Sequence, residues 1–93
     1  MPEDRMKVIA AKLLNLFGAR GQHWIRGEES NGNGDYCLIG GMKELNLTHE
    51  MKTLQRAVRE KTKHTSIAAF NDQHYWPTIK DFLCSYIRPK VKK

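Results

Sequence analysis

Cysteines are few in this chain, acidic residues are scarce in one half of it, and long apolar runs are missing. Each shortage excludes something. Cys37 and Cys84 are the only two cysteines and lie far apart, which removes a disulfide scaffold and a four-cysteine zinc site and points to a reducing compartment. No apolar run approaches the length of a membrane-spanning helix, and Met1-Pro2-Glu3-Asp4 puts acids where a secretory leader carries bases. A cytoplasmic protein with no membrane partner is expected. No internal repeat or linker is evident, and 93 residues suffice for one buried core but not for two, so residues 1–93 are read as a single domain.

Residues 51–93 hold only three Asp/Glu against ten Lys/Arg, giving +7, whereas residues 1–50 hold seven against six, giving −1. The net charge of +6 therefore lies wholly in the C-terminal half. A concentrated positive field favours anionic partners, and it is equally what a merely solvated, soluble surface carries.

Apolar periodicity predicts a mostly α fold of three to five helices around one core. Met6, Ile9, Ala10, Leu13, Leu16 and Phe17 recur at helical spacing over residues 3–17, with Gly18 as the stop. Residues 22–36, which contain Asn31-Gly32 and Asn33-Gly34, carry the best turn and strand signal and leave room for a small two-stranded ribbon. Asp35 is placed to cap a helix over 36–45, whose Gly40-Gly41 costs about 1 kcal/mol per glycine in propensity and so predicts close packing on another backbone. Thr48 is placed to cap a helix over 49–63, and a short helical turn is expected at 66–70. Thr78 with Asp81 resembles a capping box opening the last helix, buried through Ile79, Phe82, Leu83, Tyr86 and Ile87 and stopped by Pro89. Residues 88–93 are expected to form a flexible basic tail.

Three constellations bear on chemistry. Lys52, Arg56, Arg59 and Lys63 follow four-, three- and four-residue steps on the third helix and, with Arg88, Lys90, Lys92 and Lys93, could track an acidic protein or a nucleic-acid backbone. No helix-turn-helix is apparent, so any nucleic-acid contact is expected at phosphates. A nucleophilic alternative centres on Cys37 at a helix start, with His23, His64 and His74 and with Asn71 and Asp72 as potential partners, His23, His74 and Asp72 foremost, after the logic of cysteine hydrolases and transferases. A small buried thiol is the simpler account of Cys37. Metal binding finds no support: the run Glu29 to Gly40 puts glycine at the sixth place of a calcium loop but also at the twelfth, where a carboxylate is required, and no histidine pair has the four-residue spacing of a helical zinc site. No cofactor is expected, and the oligomeric state stays open.

Four elements, His23-Trp24-Ile25-Arg26-Gly27, Cys37-Leu38-Ile39-Gly40-Gly41-Met42, Ile67-Ala68-Ala69-Phe70-Asn71-Asp72 and Thr78-Ile79-Lys80-Asp81-Phe82-Leu83, resemble the ordered motifs of a small domain family of unknown function found in bacteria and their phages. Those motifs are Trp-x-x-Gly, Cys-x-x-Gly-(Ala/Gly), (Phe/Trp)-Asn-Asp and Thr-x-x-Asp. Gly41 stands where alanine is usual, and the basic tail is not a family feature. The resemblance implies an α-rich fold in which Trp24, Gly27, Cys37, Gly40, Phe70, Asn71 and Asp72 come together, and an accessory or host-interaction role rather than an activity. The residues themselves support the same cluster. Trp24 and Phe70 are large apolar side chains in polar stretches that need a core to enter, and the glycine-notched helix has room for them.

Overall fold

The computed structural model describes residues 2–87. Five helices, α1 (Pro2–Phe17), α2 (Leu38–Glu44), α3 (Met51–Lys61), α4 (Ile67–Asp72) and α5 (Trp76–Ile87), surround one core, with a 3₁₀ turn at Thr48–Glu50 leading into α3. Arg88, Pro89, Lys90, Lys92 and Lys93 lie outside the described residues.

The longest helix is the spine. Met6, Ile9, Ala10, Leu13 and Phe17 of α1 are buried at three- and four-residue intervals, and α1 packs along α5 and, over shorter stretches, on α3 and α2. Each fully buried side chain of this kind contributes roughly 1.5–3 kcal/mol. Leu38 and Met42, Leu54 and Val58, Phe70, and Ile79 and Leu83 close the core from the other four helices. No helix among the described residues is long and apolar enough to cross a membrane.

Local chemistry sets the helix ends, in places against expectation. Asp35 does not cap α2, because its carboxylate is taken by the Asn31 side-chain amide (2.8 Å) and by His23 Nδ1 (2.9 Å). Cys37 caps it instead, its sulfur accepting from Gly40 N at 3.4 Å. At the far end Asn46 takes φ 61°, a left-handed conformation that asparagine tolerates, and Leu47 N then reaches Met42 O at 2.7 Å. Thr48 makes no side-chain cap and sits inside the 3₁₀ turn. Ser66 does cap α4, accepting from Ala69 N at 3.0 Å. Thr78 does not open α5, which begins two residues earlier with Pro77 in its first turn, where proline's missing N–H has no helical partner to lose.

The expected ribbon contracts to two isolated bridges, from Trp24 and Ser30 to Tyr36, with no strand among the described residues. Residues 18–37 form an irregular loop. Its base is clamped by aromatics: Trp76 meets Phe17 edge-on at 5.8 Å and Trp24 at 6.0 Å, while Gly21, at φ 68°, lies flat under the Trp76 ring. A Cβ at Gly21 would fall 2.3 Å from that ring, and the conformation itself favours glycine.

Candidate functional site

Four consecutive residues of the loop dock on two residues of α4. Trp24 Nε1 donates to Asn71 Oδ1 (2.7 Å), Ile25 O accepts from Asn71 Nδ2 (3.1 Å), Arg26 Nη1 donates to Asp72 O (3.2 Å) and Gly27 N donates to Asp72 Oδ1 (3.0 Å). Arg26 also lies over the Tyr75 ring at 4.4 Å. Asn71 is fully buried, yet its amide is saturated, because Oδ1 also accepts from Leu38 N (3.0 Å) and Nδ2 also donates to Asp72 Oδ1 (3.0 Å). Two acceptor and two donor positions meet two donors and two acceptors, so only one orientation of the amide satisfies the site. One side chain thus ties the loop, the start of α2 and the end of α4 together.

The glycine notch completes this junction. A Cβ at Gly40 would lie 1.8 Å from Glu29 O, so the loop backbone crosses the helix where a side chain would be. The same carbonyl accepts from Cys37 N at 3.2 Å. Gly41 faces α1 instead, against Leu13, Phe17 and Leu16. The structure therefore brings Trp24, Gly27, Cys37, Gly40, Asn71 and Asp72 into one neighbourhood. Phe70, beside Asn71 in sequence, turns the other way into the core toward Phe82 (5.0 Å).

The nucleophilic constellation is not assembled. Cys37 is buried and its sulfur accepts from the Gly40 amide, His23 pairs with Asp35, His74 with His64, and the Asp72 carboxylate holds Gly27 and Asn71. Burial raises the Cys37 thiol above its ordinary range. The Gly40 and Ile39 amides pull it down, and the negative charges of Asp72 and Glu29 push it up again. Since the folded value is the higher one, stability from the neutral thiol is complete below the free-thiol range of ~8.5 and is lost as pH rises through the folded value. Iodoacetamide at neutral pH should label the half-buried Cys84 at least about tenfold faster than Cys37 in the native chain. Equal rates would show a reactive Cys37.

The basic face survives in part. Lys52, Arg56 and Arg59 stand exposed along α3 and, among the described residues, make no ion pair. Together with Gln55 and Glu60 they line a shallow hollow, in which Glu60 is the one acid among these five. Lys63 departs from this face. The helix ends at Lys61, the Thr62 hydroxyl bonds back to Val58 O at 2.7 Å, and Thr62 is extended, so the four-residue step to Lys63 is lost. Arg59 and Lys61 lie in the last turn, where cations complement the helix dipole. Lys61 is engaged, its Nζ on Ser85 Oγ (3.0 Å) and over the Tyr86 ring (3.9 Å). Among the described residues no group of three or more potential metal ligands converges. Comparison with protein-family models, curated proteins and solved structures gives no match to this chain, so its site is read from its own geometry.

Proposed function

We propose that the chain is a non-enzymatic binding module that holds a nucleic-acid backbone by its phosphates along α3. The observation that carries this reading is the exposed row Lys52, Arg56 and Arg59, three cations without ion-pair partners on one helix face. At 1.5 Å rise per residue the row is roughly 10 Å long, which spans about three phosphates of one strand at ~3.4 Å of axis each. The planar donor forks of Arg56 and Arg59 match phosphate oxygens, and the reading is one of sequence-independent contact to the backbone. The junction around Asn71 serves this reading as scaffold: it ties α2 and α4 to the loop, and none of its residues lines the charged hollow of α3.

The test is a salt titration. Fluorescence anisotropy with duplex and single-stranded probes should show binding at about 50 mM salt, with log Kd linear in log salt and a slope magnitude of about 3 on duplex and about 2 on single strands for three phosphate contacts. No probe bound at that salt would overturn the nucleic-acid reading and turn the search to an acidic protein, by pull-down from the native host.

A further inference from the structure

A second polar cluster lies where α3, α4 and α5 meet. His64 and His74 approach through their Nε2 atoms at 2.9 Å, with ring planes at 84° and centroids 5.0 Å apart. The centroid separation exceeds the nitrogen separation by nearly two ring radii, so the rings meet head on and one Nε2–H donates to the other nitrogen. Parting the rings, with the acceptor ring changing tautomer, leaves two Nε2–H donors, an arrangement that an anion between them stabilises. Both rings rest on Phe70, at 5.8 and 5.3 Å, and Phe70 is itself buried.

The hollow in front of the pair is walled by Lys61 from α3, Thr62 and Lys63 from the connection, Phe70 from α4 and Thr78 from α5, and no carboxylate lines it. Lys61 and Lys63 are the cations among its lining residues. Lys61 is held in place by Ser85 and Tyr86, while Lys63 and the Thr78 hydroxyl have no hydrogen-bond partner among the described residues. A concave site with ammonium, hydroxyl and imidazole donors and no acid suits a compact anion rich in oxygen.

We propose that this hollow seats a phosphate group, with Lys63 and Thr78 binding its oxygens and the histidine pair parting so that each ring donates an Nε2–H to the anion, the ring that had accepted moving its proton from Nδ1 to Nε2. None of Lys52, Arg56 and Arg59 lines it, so it stands apart from the α3 face. The group could belong to a nucleic-acid end or to a small phosphorylated molecule. Both present the same chemistry.

The experiment follows the histidine Cε1–H resonances of the full chain as inorganic phosphate is added. His64 and His74 should move saturably while His23 and His49 do not. Lys63→Ala and His64→Ala should each weaken the site at least about threefold; thermal melts confirm that both variants are folded. A 5′-phosphorylated oligonucleotide binding tighter than its 5′-hydroxyl twin would place the group on a nucleic-acid end, and equal binding would place it on a small molecule. No saturable movement, or all four histidines moving together, would overturn the proposal. Because Arg56→Glu with Arg59→Glu should leave phosphate binding intact, failure of this site and failure of the α3 reading are told apart.

Discussion

Replacing Asn71 with alanine is expected to cost about 4 kcal/mol, because the buried Leu38 N–H and the part-buried Trp24 indole N–H and Ile25 carbonyl would each lose their partner. Each orphaned group carries a penalty of about 1–3 kcal/mol, against a total stability of about 5–15 kcal/mol for a domain. Thermal melting should fall by roughly 20 °C. Asn71→Asp separates the hydrogen bonds from simple volume. The new carboxyl keeps the acceptor for Trp24 and Leu38 but, once ionised, cannot donate to Ile25 and faces Asp72. Its folded-state pKa is therefore raised, so stability relative to the parent is greatest below the usual carboxylate range and is lost as pH rises through the raised value. An Asn71→Ala variant melting within a few degrees of the parent would show that water replaces the amide.

Gly40→Ala should be the most damaging change of a single methyl group. The added Cβ meets the Glu29 carbonyl oxygen at 1.8 Å and its carbon at 2.7 Å, backbone atoms that can yield only if the loop lifts from α2. Lifting it breaks the bond from Cys37 N to Glu29 O. Alanine recovers about 1 kcal/mol of helix propensity, and overpacking against backbone costs more than that, so a net loss of about 2–4 kcal/mol is expected. Gly41→Ala is the internal control. Its nearest neighbours, at 3.0–3.3 Å, are side-chain ends of Leu13, Phe17 and Leu16, which can shift by tenths of an ångström, and the propensity gain offsets the crowding to within about 1 kcal/mol. Denaturant melts of the two variants side by side check this, and equal costs would contradict the crossing of backbone over Gly40.

Much of the scaffold was legible because it follows from periodicity. The α1 stripe from Met6 to Phe17 and the α5 face from Ile79 to Leu83 are buried as their spacing requires. The propensity cost of two adjacent glycines pointed to a close approach, and at Gly40 the approach is by backbone. Capping was less legible. Asp35 is a better cap than cysteine in general, but Asn31 and His23 compete for its carboxylate, a contact made across the loop. Lys63 fell off the α3 face because the hydroxyl of Thr62 ends the helix first, a local choice that charge spacing does not reveal. The His64–His74 pair left no sequence signal, since ten residues spanning a turn and a short helix match no single-helix spacing. Asn71 was readable as a residue that bonds nearby backbone. That both of its acceptor positions and both of its donors would be used, on groups 33 to 47 residues away and on its neighbour Asp72, depends on the tertiary fold.

The most direct test of the account is charge reversal on α3. Arg56→Glu combined with Arg59→Glu, assayed by anisotropy against the same nucleic-acid probes over a range of salt, should weaken binding at least about tenfold and make the log-log slope shallower by about two. Melting should fall by no more than a few degrees, because both side chains are exposed and unpaired and only the helix-dipole contribution of Arg59 is reversed. Unchanged affinity and slope in the reversed variant would contradict the assignment of α3 as the binding face.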